Sequence, residues 1–164
     1  MGLGKTLEIV GLVASSLELP IEPPPVAGLL PSRATLIVVP PTLVSQWLAE
    51  IAKSLSPSLS LKVGKYTQAD VIKRDAAGAW RAEAAELASH DIVIATYGAL
   101  DKCQSALGAI SWRRVVLDEM QEVRSSTTEL AKKCERLHAP RRWMVEAKYR
   151  LLCVTNRDIV FASS

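Results

Sequence analysis

Several features are scarce in this sequence. Of its 164 residues only 5% are aromatic, and the three cysteines, Cys103, Cys134 and Cys153, lie far apart with no CxxC pair. Neither a zinc knuckle nor a disulfide framework is indicated, and a reducing compartment fits best. An excess of one charge is also lacking: 20 basic against 17 acidic side chains leave a formal +3. That is too small for the overall field to mark a nucleic-acid binder, so any DNA contact must come from placed residues. No apolar run approaches the ~20 residues of a membrane-spanning helix. With 8 Gly, 9 Pro, 49% hydrophobic and 23% charged residues, collagen-like repeats, disorder and coiled coil are excluded. The length matches one domain of about 150 residues and leaves no room for two.

The N-terminus admits three readings. As a secretory signal, Lys5 and the apolar stretch Ile9 to Val13 before Ala14-Ser15-Ser16 are interrupted by Glu8. As an acylation signal, Met1-Gly2-Leu3-Gly4-Lys5-Thr6 matches a short myristoylation pattern that would modify Gly2. As the end of a phosphate-binding loop, Gly2-Leu3-Gly4-Lys5-Thr6 precedes an apolar-rich helix, Leu7 to Leu17. The third reading requires partner motifs downstream, and they are present.

Prolines 20, 23, 24, 25 and 31 make the stretch from Leu19 to Ser32 an exposed connection. Ala34 to Val39 is a continuous β-branched and aliphatic run, the pattern of a strand covered on both faces. After Pro40-Pro41, Thr42 can cap a helix whose Leu43, Val44, Trp47, Leu48, Ile51 and Leu55 recur at helical spacing. A short strand is expected at Leu61 to Tyr66, a helix at Asp75 to Ser89, a buried strand at Asp91 to Ala95 and a helix at Tyr97 to Leu107. The strand Arg114 to Leu117 runs into Asp118-Glu119, Ser126 and Glu129 have the spacing of a capping box, and a last strand covers Arg142 to Val145. Residues 146–164 carry no placeable motif. Alternating strands and helices give a parallel sheet with helices on both faces and ligands at the C-terminal strand ends. The pairs Arg113-Arg114, Lys132-Lys133 and Arg141-Arg142 read most simply as solvated faces.

In a loop of this kind, Gly2 and Gly4 let backbone amides approach phosphate oxygens, Lys5 bridges the β- and γ-phosphates, and the Thr6 hydroxyl holds Mg²⁺. Asp118 after an apolar strand supplies the carboxylate on the Mg²⁺ side, and Glu119 the base that orients the attacking water. Trp47 reads as core, and Gln46 and Glu50 as helix-surface or orienting residues.

These residues resemble the Swi/Snf-type helicase-like ATPases, DNA translocases of chromatin remodelling and repair. Met1 to Thr6 is similar to the end of their first motif, and Leu36 to Leu43 with Gln46, Trp47, Glu50 and Ile51 to the next. Asp91 to Tyr97 resembles the strand and turn that follow, and Leu117 to Gln121 the second ATPase motif. Trp112 to Gln121, Ser125 to Thr128 and Arg142-Trp143-Met144 resemble most the branch bearing a RING ubiquitin-ligase insertion, with the SHPRH-type ligases nearest.

The resemblance implies a three-layer RecA-like P-loop α/β lobe over residues 1–145, without the strand that precedes the loop, and a divergent tail over 146–164. It implies ATP at Gly2, Gly4, Lys5 and Thr6, Mg²⁺ at Thr6 and Asp118, and catalysis by Lys5, Asp118, Glu119 and Gln121, the last coupling nucleotide to track. Double-stranded DNA or a nucleosome would be touched along its phosphate backbone by Pro41, Thr42 and Thr96. A second ATPase lobe, a RING insertion and a nuclear location belong to the same expectation. The sequence departs from the family at Met120, where a small residue is usual, and at Glu146-Ala147-Lys148, where the family has a Gly-Thr-Pro turn. A truncated lobe is therefore expected, with weak ATP binding, no DNA-stimulated hydrolysis and low solubility. The alternative is a non-catalytic fragment acting as an interaction module or without function.

Overall fold

The computed structural model describes residues 4–55, 59–70, 80–102, 104–119, 129–146 and 149–155. In chain order the elements are α1 (Gly4–Ala14), β1 (Leu30–Pro31), β2 (Thr35–Val39), a 3-10 turn (Pro41–Leu43), α2 (Val44–Ser54), β3 (Val63–Tyr66), α3 (Trp80–Ala88) and β4 (Ile92–Thr96). They continue with α4 (Tyr97–Lys102), α5 (Gln104–Gly108), β5 (Ile110–Ser111), β6 (Arg114–Asp118), α6 (Glu129–Glu135), β7 (Arg141–Glu146) and β8 (Tyr149–Thr155).

The main sheet has the order β3-β4-β2-β6-β7-β8. The first five strands are parallel, and β8 returns antiparallel along β7. Strand β2 lies centrally, with Leu36 opposite Val93 on one side and Val115 on the other. All five residues of β2, of β4 and of β6 are buried, which is why these segments read as unbroken apolar runs rather than alternating ones.

The two-residue period of the strands divides that apolar content between two cores. Leu36, Val38, Val93, Ala95, Val115 and Leu117 face a core shared with Ala84, Leu87, Ala99, Leu100, Leu107 and Cys134 of the helices. Ile37, Val39, Ile92, Ile94, Val116 and Val145 face the other, closed by Ile9, Val10 and Val13 of α1 and Val44, Trp47 and Ile51 of α2. Helices on both faces of a mainly parallel sheet make the expected three-layer α/β architecture. Each buried aliphatic side chain contributes roughly 1.5–3 kcal/mol.

Several expectations change in detail. Thr42 does not cap α2: it is exposed within the 3-10 turn, the N-cap position is Leu43, and no side chain bonds the helix start. The tail without a motif contains β8, so the strand read as the last one is followed by another. The helix read from Tyr97 to Leu107 is two helices. The expected capping residue Ser126 and the start of the Asp75 helix lie outside the described residues, as do Gly2, Met120 and Gln121.

Three of the paired arginines are not solvated, whereas Arg141 lies at the surface and pairs with Glu22 at 2.7 Å. Arg113 and Arg114 are only 5% and 7% exposed. Arg113 donates through Nη2 to the carbonyls of Leu19 (3.1 Å) and Pro20 (2.8 Å), tying down the proline-rich connection. Arg114 lies over the Trp143 ring, 5.8 Å from its centroid, and burial pushes its pKa down to about 10. Arg142 donates to the carbonyls of Cys134, Glu135 and Leu137, so it satisfies the end of α6. Of the lysines, Lys133 pairs with Asp101 at 2.6 Å and Lys132 with Glu129 at 3.1 Å.

Candidate functional site

The C-terminal end of β6 and the start of α1 place Asp118 within the field of Lys5, and α2 touches both Thr6 and Asp118. Strand β6 carries the chain from the buried Leu117 into Asp118, itself only 2% exposed. Glu119 then adopts φ +52°, a left-handed conformation rare for a residue with a side chain. That turn aims its backbone N–H at the Val145 carbonyl, 2.9 Å away, and so joins the ends of β6 and β7. The Tyr97 hydroxyl donates to the Asp118 carbonyl at 2.8 Å, fixing the same corner from the start of α4.

The Asp118 carboxylate is asymmetric. Oδ2 accepts the indole N–H of Trp47 at 2.8 Å, whereas Oδ1 is buried with no hydrogen-bond partner. Burial raises the pKa of this carboxyl and the neighbouring Glu119 charge adds to the rise; the Trp47 bond and the Lys5 charge partly offset it. An orphaned buried carboxylate oxygen costs free energy unless a cation or a proton meets it. Oxygen donors of the Asp118 and Thr6 type suit a hard cation, so this pair fits Mg²⁺. Among the described residues no group of three or more His, Cys, Asp or Glu forms a metal cluster of its own.

Gly4 and Lys5 form the first turn of α1, Gly4 exposed and Lys5 half-buried, and Thr6 is buried. The Thr6 hydroxyl donates to Glu50 Oε2 across the α1–α2 contact. Gln46 Nε2 donates to the other oxygen, Oε1, at 2.9 Å. Those bonds, the Thr6 one foremost, hold the Glu50 carboxyl below its ordinary pKa, with Lys53 adding a smaller effect of the same sign.

The expected DNA-side residues separate. Pro41 and Thr42 are exposed in the 3-10 turn just past the end of β2. Thr96 is 2% exposed, and its hydroxyl accepts the Ala99 N–H at 3.2 Å as a cap on α4. It lies at the same edge of the sheet as Val39, its register partner, with its side chain turned inward. Sequence reasoning missed the polar side of Trp47 and the Glu50 contact with Thr6. The signal available was their shared helical face, three residues apart, beside a pattern already assigned to the site.

Comparison with known proteins adds to this geometry. The SNF2-related domain family matches residues 1–147. The DNA repair protein rad5 of Emericella nidulans is 33% identical over 88% of this chain and 14% of its own length. The mouse helicase-like transcription factor is 30% identical over 70% of this chain and 11% of its own. The chain therefore spans about one seventh or less of these relatives. Among solved structures, the Sulfolobus solfataricus SWI2/SNF2 ATPase core in complex with dsDNA superposes with a TM-score of 0.63 at 20% identity, covering 92% of this chain and 26% of that one. The fold is shared with that ATPase core.

Proposed function

The chain belongs to the SNF2-related domain family, and from that premise we propose that it is the first RecA-like lobe of an ATP-dependent DNA translocase acting in DNA repair or chromatin remodelling. The observation that carries this reading is the buried, partnerless Oδ1 of Asp118 at the end of a parallel strand, within the field of Lys5 from the first turn of α1.

In this reading Gly2, Gly4 and Lys5 bind the phosphates of ATP, Lys5 as a charge on the β- and γ-phosphates. Thr6 and Asp118 hold Mg²⁺, which when bound neutralises charge on the transferring phosphoryl group. Glu119, in the left-handed turn at the strand end, orients the attacking water as a base. Gln121 couples the nucleotide to the track. Pro41 and Thr42 touch the DNA phosphate backbone, with Thr96 supporting that edge through its cap on α4. The branch with a RING ubiquitin-ligase insertion, the SHPRH-type ligases included, a second ATPase lobe as partner and a nuclear location are parts of the same proposal. The repair and transcription-factor names of the relatives support the location.

The test is titration of the chain with a fluorescent ATP analogue and Mg²⁺. Lys5-dependent binding, weakened about tenfold or more by Lys5→Ala, is expected from loss of a charged phosphate contact; affinity unchanged by that substitution overturns the reading. A second reading, a non-catalytic fragment, is favoured by one observation. Strand β7 runs on to Glu146 and pairs with β8 where the resembled family turns through Gly-Thr-Pro. DNA-stimulated ATP turnover by this chain excludes it.

A further inference from the structure

One helix touches both side chains assigned to the metal, and in each case it occupies the atom that the metal does not need. Trp47 and Glu50 lie three residues apart on α2 and so share a face. The Trp47 indole, a donor with no acceptor capacity, takes Asp118 Oδ2 and leaves Oδ1 buried without a hydrogen-bond partner. Glu50, an acceptor when ionised, takes the only hydrogen of the Thr6 hydroxyl, which leaves that oxygen with its lone pairs.

Resting on the nucleotide-site reading above, we propose that Trp47 and Glu50 are positioning residues that orient the Asp118 carboxylate and the Thr6 hydroxyl for Mg²⁺, so that α2 pre-sets the metal side of the site. The chemistry is complementary. A carboxylate free to rotate would present either oxygen, and a hydroxyl free to rotate could turn its hydrogen towards the cation. The two bonds remove both alternatives before the ligand arrives. Burial helps, since Trp47 is 5% exposed and belongs to the same core as Ile9, Ile37 and Val116, which restrains its N–H from swinging away. Gln46 holds the second Glu50 oxygen and keeps the carboxylate aligned on Thr6. The 3-10 turn with Pro41 and Thr42 runs directly into α2, so the helix joins the proposed DNA contact to the two residues that hydrogen-bond the ligands.

The proposal separates from simple packing by its metal dependence. Affinity for a fluorescent ATP analogue is measured with Mg²⁺ and with EDTA for wild type, Trp47→Phe, Glu50→Ala and Glu50→Gln. Expected is a loss of about tenfold or more in the Mg²⁺-dependent part for Trp47→Phe and Glu50→Ala, as for other groups that orient metal ligands. Glu50→Gln, which still accepts the Thr6 hydrogen, restores most of it, and affinity in EDTA stays within about twofold. Equal losses with and without Mg²⁺, or no loss at all, overturn the proposal. Should Trp47→Phe unfold by circular dichroism, Glu50→Ala and Gln46→Ala, on the half-buried and exposed part of the helix, decide the matter alone.

A second readout needs no turnover. With ¹⁵N-labelled tryptophan, the indole resonance lost in Trp47→Phe should move when Mg²⁺ and nucleotide are added to wild type and stay put in Asp118→Asn; an indole signal indifferent to Mg²⁺ counts against positioning. Wild-type binding that ignores Mg²⁺ while remaining Lys5-dependent overturns the positioning role alone. Binding that ignores Lys5 overturns the nucleotide reading beneath it.

Discussion

The Trp47 indole holds one oxygen of the Asp118 carboxylate at 2.8 Å and leaves the other buried without a partner. The pKa of Asp118 is raised, chiefly by burial, so the folded chain retains a proton there that the unfolded chain has already released. Stability from this group is therefore greatest at acid pH and falls as pH rises through the interval between the unfolded and folded pKa values.

Removing the charge should accordingly stabilise the metal-free fold. Asp118→Asn keeps a carbonyl for the Trp47 N–H and is expected to raise Tm at pH 7, with the gain shrinking at acid pH, while Mg²⁺-dependent nucleotide binding is lost. Thermal melts of both proteins across pH check this, and a lower Tm for Asp118→Asn at neutral pH contradicts it.

Arg113 anchors the proline-rich connection through two carbonyls from a nearly fully buried position. Arg113→Ala should destabilise the chain by about 1.5–3 kcal/mol, the scale for charged hydrogen bonds left unmade. It should also speed protease cleavage between residues 19 and 32. Denaturant titration and limited proteolysis measure the two effects, and unchanged cleavage would show that the connection is held by something else.

The Cys134 thiol is buried, and that burial pushes its pKa up to about 12. Because the thiolate is the reactive form, Cys134 should resist maleimide at pH 8 in the native chain and react on denaturation. Peptide mapping after short labelling gives the answer, with rapid native labelling of Cys134 as the adverse result.

Gly64 on β3 approaches the His90 ring so closely that an added Cβ would lie 2.8 Å from it. Overpacking of this sort costs about 1–3 kcal/mol, so Gly64→Ala should lower stability, and Gly64→Ala with His90→Ala should recover most of the loss. Failure of the double substitution to recover would place the strain in the strand itself.

The three central strands were legible because parallel strands covered on both faces must be apolar throughout, and the segments around Ile37, Ile94 and Val116 are. Asp118 and Glu119 were legible as acids after such a strand. Trp47 was half legible: its ring is core as expected, while its N–H serves the site, a direction that spacing cannot reveal. Thr96 shows the reverse case. Its place at a strand end was readable, but its hydroxyl caps α4 rather than facing outward, because a buried hydroxyl beside a free helix N–H bonds to it.

By itself the sequence determined the alternation of strand and helix, the family and the residues proposed for the site, since these follow from local periodicity and from contiguous motifs. Only the tertiary structure decided the order β3-β4-β2-β6-β7-β8, the burial of Arg113 and Arg114, the antiparallel β8 and the bonds from α2 to Asp118 and Thr6. Those depend on which of many polar side chains meet across 44 to 71 residues of chain. That choice is made by packing the two cores, and no local pattern encodes it.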